Sequence, residues 1–113
     1  MDAARLKEFR QALQALAAQI LAADAETLSE RAPVELDQQA VGRLSRMDAL
    51  QVQAMALETS RRRGTELRRI TAALARMDEG AFGYCLECGD EIAARRIELD
   101  PAAPLCIACA SGR

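Results

Sequence analysis

The sequence predicts a mainly α-helical protein: a long antiparallel helical hairpin with coiled-coil character, followed by a small module built around four cysteines. Three observations predict this fold class. Apolar residues recur at helical spacing in two long segments, a proline-containing stretch separates those segments, and every cysteine lies near the end of the chain. Aromatic residues make up only 3% of the 113 residues, so a thick globular core is not expected.

The first helix is predicted over residues 2–30. No Gly or Pro interrupts this stretch, and apolar residues recur at alternating spacings of three and four, which is the pattern of one coiled-coil seam. The residues of this seam are Leu6, Phe9, Leu13, Leu16 and Ile20.

The connection is predicted over residues 31–44, where the apolar pattern fails. Pro33 disfavours helix at the residue before it, and Gly42 is a second weak point. Ser45 and Asp48 then match the S-x-x-D pattern of a capping box, in which Ser45 caps the start of a helix and Asp48 reaches back to it.

The second helix is predicted over residues 45–79 and carries two apolar seams. One consists of Met47, Leu50, Ala54 and Leu57, and the other of Leu67, Ile70, Leu74 and Met77. The seams are out of phase, and the slip falls near Gly64, which predicts a local change of supercoil. Gly80 is expected to end the helix in a left-handed conformation.

These elements divide the chain into a hairpin, residues 1–79, and a cysteine module, residues 80–113. An alternative is that the two helices belong to an ordinary helical bundle. A bundle is disfavoured because this chain offers no third or fourth long helix, although a dimer would supply them.

The cysteine module follows the pattern C-x2-C-x17-C-x2-C, which is typical of a structural zinc site with four sulfur ligands. The expected ligands are Cys85, Cys88, Cys106 and Cys109, and together they form a zinc-ribbon-like module. Four thiolates and one Zn²⁺ carry a net charge of −2, which Arg95 and Arg96 between the pairs are expected to offset as neighbours of the site. A solvated surface position is the alternative for both arginines.

Disulfides, redox chemistry and a catalytic zinc are the competing interpretations of the four thiols. The N-terminus lacks the pattern of a signal peptide, and no stretch approaches the ~20 apolar residues of a membrane helix. We therefore expect a cytoplasmic protein with reduced thiols and no membrane contact. A redox CxxC needs a βαβ context, which is absent, and a catalytic zinc needs an open ligand position. We expect no enzyme activity.

The segment "FGYCLECGDEIAARRIELDPAAPLCIAC" resembles the signature of the DksA/TraR zinc-finger family of bacterial transcription regulators. Between its two CxxC pairs the family pattern has an Ile, an Arg and a Pro at fixed spacings, and here these are Ile92, Arg96 and Pro101. One departure is Leu86, where the family usually has Asp, Glu or Ser. The preceding helical hairpin extends the resemblance to most of the chain.

The resemblance implies that the protein binds bacterial RNA polymerase without binding DNA. In this family the zinc module sits at the rim of the secondary channel, and the hairpin projects inward. Acidic residues at the hairpin tip approach the active site and alter open-complex stability, in some members together with ppGpp at a surface shared with polymerase. The net charge of −2 agrees with a protein that makes no general contact with a phosphate backbone.

The tip is where this sequence departs from the family. The best-known family member has D-x-x-D-x-A there, and the nearest match is Ser45, Asp48 and Leu50. An alternative acidic pair is Glu35 and Asp37 in the connection. The alternative function is a zinc-stapled coiled-coil adaptor that binds another protein or self-associates.

Overall fold

The computed structural model describes residues 1–33 and 42–112, and of residues 42–45 only the backbone. Within these ranges the chain is mainly α-helical, as predicted, and its strand-like pairing is one antiparallel bridge between Tyr84 and Glu91. The elements are α1 (Ala3–Glu26), a 3-10 turn (Leu28–Arg31), α2 (Gly42–Asp78), α3 (Ala94–Leu99) and α4 (Ile107–Ala110).

Helix α1 begins where its sequence provides a cap and ends earlier than predicted. The carboxylate of Asp2 accepts a hydrogen bond of 2.7 Å from the backbone N–H of Arg5, which satisfies a free amide of the first turn. The predicted end near residue 30 is wrong, because α1 stops at Glu26. The hydroxyl of Thr27 donates to the carbonyls of Ala23 and Asp24, so side-chain contacts end the helix without Gly or Pro.

Helix α2 begins three residues before the predicted start. Ser45 lies inside the first turn rather than ahead of it, so its predicted role as the cap residue is wrong. The reason is that Gly42, interpreted as a helix breaker, stands at the first helical position. Glycine is tolerated there better than in a helix interior.

The other end of α2 forms the predicted left-handed cap. Gly80 has φ 74°, its N–H donates to the carbonyl of Met77, and the N–H of Ala81 donates to the carbonyl of Arg76 at 2.8 Å. These two bonds make a Schellman motif, which satisfies the last helical carbonyls and turns the chain toward the cysteine module.

The two long helices run antiparallel. Near the open end of the hairpin, the guanidinium of Arg10 pairs with the carboxylate of Asp78 at 2.9 Å. Near the other end, the guanidinium of Arg63 donates to the hydroxyl of Thr27 at 2.9 Å. One end therefore joins Arg10 to Asp78, and the other end joins Thr27 to Arg63. This is the contact pattern of a hairpin.

One apolar core joins the base of the hairpin to the cysteine module. The rings of Phe9 and Phe82 lie 5.6 Å apart, and Leu13, Ile70 and Ile97 are each only 1% exposed. The hairpin supplies one side of this core, and the residues after Gly80 supply the other. Buried residues of the core are Phe9, Leu13, Ile70, Ala73, Met77, Phe82, Cys85, Ile92, Ile97 and Ala102.

The predicted seams are correct near the base and wrong farther out. Along α1, Ala17 rather than Leu16 packs against the core. On α2 the seam from Leu67 to Met77 is partly or fully buried, as predicted, and the helix continues through Gly64. The earlier seam is exposed instead: Met47 is 57% exposed and Leu57 is 50% exposed. The shorter α1 explains this, because it leaves less helix for the first half of α2 to pack on.

Candidate metal centre

The four cysteine sulfurs form a single cluster. The Sγ atoms of Cys85, Cys88, Cys106 and Cys109 all lie within 4.8 Å of one another. The Sγ atoms of Cys88 and Cys106 are 3.8 Å apart, close to the edge of a tetrahedron with bonds of ~2.3 Å from zinc to sulfur. The cluster therefore has the size and the donor set that one zinc ion requires.

The first cysteine pair sits in a tight knuckle. The backbone N–H of Cys85 donates to the carbonyl of Asp90 at 2.8 Å, and the N–H of Gly89 donates back to the carbonyl of Cys85 at 3.0 Å. Gly89 has φ 77°, a conformation that side chains rarely adopt, so this turn needs glycine. The N–H of Ile92 donates to the carbonyl of Gly83 and closes the knuckle.

The second pair stands at the start of α4 and is tied to the first. Cys106 precedes the helix, and its carbonyl accepts from the N–H of Ala110 at 2.9 Å. The N–H of Leu86 in the first knuckle donates to the carbonyl of Pro104 at 3.0 Å. This backbone hydrogen bond helps to hold the two CxxC pairs face to face.

The electrostatics of the sulfurs favour a bound cation. Backbone N–H groups of Cys88 and Cys106 lower the pKa of the Cys85 thiol to about 6, since they stabilise its thiolate. Hydrogen bonds from the Cys109 thiol to the sulfurs of Cys106 and Cys85 raise the pKa of Cys109, because they favour its protonated form. Four thiolates at this spacing need a metal ion to offset their charge.

The two arginines between the cysteine pairs differ in their surroundings. The Nε of Arg96 donates to the carbonyl of Leu105 at 2.8 Å, directly before Cys106. Arg96 thus braces the chain that carries the second pair, and its hydrogen bond goes to backbone and not to a sulfur. Arg95 has an 80% exposed side chain, and its pairing with Glu98 at 4.0 Å is a surface contact.

The geometry also separates zinc binding from the competing interpretations. All four cysteines are free, and a sulfur separation of 3.8 Å is well beyond the ~2.05 Å of a disulfide. The chain contains no histidine, so the ligand set is sulfur only. Four sulfurs fill a tetrahedral shell and leave no position for a substrate, which fits one structural zinc ion.

Acidification is expected to release the zinc, because protons compete with the metal for sulfur. All four cysteines must be thiolates to bind, so zinc is held at neutral pH and lost as the pH falls. The measurement is zinc content after dialysis across a pH series, read with a chromogenic chelator. Full retention at pH ~4 would contradict a four-thiolate site.

Two of the predicted tip residues, Asp48 and Leu50, lie far from the metal centre. Asp48 and Leu50 are exposed on α2, and Asp48 is about 45 Å from the end of that helix at 1.5 Å per residue. The side chain of Ser45 lies outside the described residues, as do Glu35 and Asp37. Within this group, the structure therefore describes the side chains of Asp48 and Leu50 only.

One group that the sequence did not reveal fixes the module to the hairpin. Arg69 of α2 donates to the carboxylates of Glu66 and Asp100, each at 2.6 Å, and Asp100 follows α3. Arg5 pairs with Glu98 of α3 at 2.9 Å. The pairs Arg69–Asp100 and Arg5–Glu98 join residues far apart in sequence, so no local pattern could indicate them.

No helix within the described ranges is both long and apolar enough to cross a membrane.

Comparison with known proteins identifies the module. Residues 80–113 match the family model of the prokaryotic dksA/traR C4-type zinc finger. A 43-residue stretch is 49% identical to the RNA polymerase-binding transcription factor DksA of Haemophilus influenzae, covering 38% of this chain and 30% of that protein. The protein of the same name from Escherichia coli K12 is 44% identical over 43 residues, 38% of this chain and 28% of its own. The matched stretch thus spans less than a third of these relatives.

The similarity in three dimensions is wider. The whole chain resembles the solved structure of transcription factor DksA2 from Pseudomonas aeruginosa with a TM-score of 0.81 and 25% sequence identity. The superposition covers 98% of this chain and 84% of the other. Both the helical hairpin and the module that follows it are therefore shared with that protein.

Proposed function

We propose that this chain, whose C4-type zinc finger matches the dksA/traR family model, is a member of that family and a bacterial transcription regulator that binds RNA polymerase through the secondary channel. The observation that carries the proposal is the superposition on a transcription factor over 98% of the chain. The relatives matched at the zinc finger are named for RNA polymerase binding.

In this proposal the zinc finger has a structural role and no catalytic role. Cys85, Cys88, Cys106 and Cys109 hold one Zn²⁺, and Arg96 supports the second pair through the carbonyl of Leu105. The metal stabilises the end of the chain that grips the channel rim. The protein is then not an enzyme, and it works in the cytoplasm, where bacterial polymerase is found.

The hairpin carries the proposed tip residues away from the zinc finger. The molecule is 63 Å long, and the distal part of α2 carries Asp48 on an exposed surface. We assign Asp48 the leading role near the polymerase active site, where a carboxylate would interact with bound cations or with mobile polymerase segments. Ser45, Leu50 and Asp37 are the further tip candidates. No contact with DNA bases is required.

Asp48→Ala is expected to remove most of the regulatory effect and to leave polymerase affinity nearly unchanged. The carboxylate is exposed on a continuous helix, so its loss changes charge and not fold. Run-off transcription gives the effect, and competition for core polymerase gives the affinity. Glu26→Ala is the control, because it removes an exposed carboxylate from the end of α1. Absence of binding by the unmodified protein would refute polymerase as the partner.

The ligand ppGpp is proposed only for the complex with polymerase. A nucleotide with two diphosphate groups needs cationic contacts, and Arg62 and Arg68 expose such groups on α2. The test compares the transcription effect of the protein with and without ppGpp. The same effect in both conditions would exclude the ligand from this regulator's action.

A second candidate function is a coiled-coil adaptor, and one observation favours it. Apolar side chains on the distal half of α2 are exposed at coiled-coil spacing, with Met47, Leu50 and Leu57 from 44% to 57% exposed. Such a face suits another helix. A dimer in light scattering, or a tight non-polymerase partner together with unchanged transcription, would support the adaptor instead.

A further inference from the structure

The far end of α1 is joined to α2 by polar contacts in place of an apolar seam. Ile20 is the last residue of α1 that packs against the apolar core. Beyond it, five polar residues connect α1, the 3-10 turn and α2. We call this group the polar clamp: Asp24, Thr27, Arg31, Ser60 and Arg63.

Arg31 is the centre of the polar clamp. One guanidinium nitrogen donates to the hydroxyl of Ser60 at 2.6 Å and to the carboxylate of Asp24 at 3.3 Å. The other nitrogen donates to the backbone carbonyl of Asp24 at 3.0 Å. A single side chain on the 3-10 turn therefore holds both α1 and α2.

Two further side chains of α2 hold the turn and the residues beside it. Arg63 donates to the hydroxyl of Thr27 at 2.9 Å and lies 3.6 Å from the carboxylate of Asp24. Gln53 donates its amide to the carbonyl of Ala32 at 2.8 Å. The turn is thus fixed along α2 from Gln53 to Arg63.

The polar clamp restricts the arrangement of α1 and α2 more than it stabilises the fold. Its charged side chains are largely buried, at 17% exposed for Arg31, 23% for Arg63 and 28% for Asp24. Two arginines face one carboxylate, and among the described residues Asp24 Oδ1 and Arg31 Nε have no hydrogen-bond partner. A buried ion pair of this kind gains little over an apolar contact, but its directional bonds permit few arrangements.

Among the residues that the structure describes, few others support the segment of α2 beyond the polar clamp. Met47, Leu50, Val52 and Met55 are exposed, and Ala56 is the buried residue of this stretch. Asp48 lies on the same continuous helix, about 18 Å from Ser60 at 1.5 Å per residue. Within the described residues, the polar clamp and Gln53 are therefore the contacts nearest to Asp48 that hold the direction of this helix.

We propose that Arg31 is a positioning residue, which acts through the polar clamp to aim the distal half of α2 and so determines regulatory potency without contributing to polymerase affinity. The inference rests on the proposed function for its transcription readout. Its structural half concerns the protein alone and can be measured without polymerase.

The first experiment measures hydrogen exchange in the zinc-loaded protein with Arg31→Gln. Amides of the 3-10 turn and of residues 46–56 are expected to exchange at least about tenfold faster, because charge-assisted bonds are lost. Amides of residues 67–77, inside the shared core, are expected to keep their rates. Arg61→Gln is the matched control, since its partner Glu58 lies on the surface of the same helix.

The second experiment compares the same proteins in transcription and in competition for core polymerase. Arg31→Gln is expected to lose most of the regulatory effect. Its affinity for core polymerase is expected to change by no more than about twofold, which is less than the loss of one charge-assisted contact with polymerase would cause. Arg31→Lys keeps the charge but not the forked donors, so it is expected to resemble Arg31→Gln. Ser60→Ala combined with Arg31→Gln is expected to add little to either change alone.

Two outcomes with Arg31→Gln overturn the proposal: unchanged exchange rates, or unchanged transcription when exchange has increased. Full activity of Arg31→Lys would assign the effect to charge and would overturn the positioning role as well. If the unmodified protein fails to bind polymerase, the proposed function falls, while the exchange result still decides whether the polar clamp orders α2. Ser60→Ala, which removes one hydroxyl, provides the exchange test if Arg31→Gln unfolds.

Discussion

Cys88→Ser is expected to abolish stoichiometric zinc binding and to unfold residues 81–112 while most of the hairpin helicity remains. A serine hydroxyl replaces one of four thiolates, and the remaining three sulfurs leave the metal shell incomplete. Apolar packing supports the module only in part: Phe82, Ile92 and Ile97 are buried against the hairpin, but Leu86, Leu99 and Ile107 are exposed by more than 60% each. The measurements are zinc per chain, far-ultraviolet circular dichroism and hydrogen exchange resolved by segment.

Glu87→Gln is the control for this substitution, because it alters the neighbouring residue of the same knuckle without touching a sulfur. It is expected to bind one zinc ion and to unfold as the unmodified protein does. Cys88→Ser with full zinc content and unchanged thermal stability would contradict a site made of four cysteines.

Leu13→Ala is expected to lower the free energy of unfolding by about 3 kcal/mol at constant zinc concentration. Leu13 is 1% exposed and lies in the core shared by the hairpin and the cysteine module, so the lost methyl groups leave a cavity. Chemical denaturation of the zinc-loaded protein measures the change.

Leu21→Ala is the matched control on the same helix, because Leu21 is 57% exposed. Its effect is expected to be within about 0.5 kcal/mol. Equal destabilisation by the two substitutions would mean that the core does not extend as described, and that the far part of α1 is buried against another surface.

The cysteine module was the most predictable part of the molecule. Its ligands lie in two local turns, so the spacing of Cys85, Cys88, Cys106 and Cys109 alone predicts a common centre. Gly80 and Gly89 could be predicted for the same reason, since a left-handed residue is a local requirement. Site geometry that is fixed by short loops can be predicted from a sequence.

The ends of the helices near the connection could not be predicted in the same way. The end of α1 depends on Thr27 and Arg31, whose contacts with Asp24 and Ser60 include one across the hairpin. The exposed seam from Met47 to Leu57 has the coiled-coil pattern without the partner helix, because α1 stops at Glu26. An apolar pattern indicates a capacity for packing, and only tertiary structure determines whether it is used.

The shared core has a consequence for the order in which the protein folds on the ribosome. Phe9 can pack against Phe82 only after Phe82 has been synthesised. Arg5 can pair only after Glu98, which lies 93 residues after it in the chain, has been synthesised. The hairpin can pair its helices early, but its base closes only after the last cysteine has emerged and zinc has bound. We therefore expect a nascent chain to expose Phe9 until the cysteine module has been made, and we expect metal supply to set the moment at which that surface is covered.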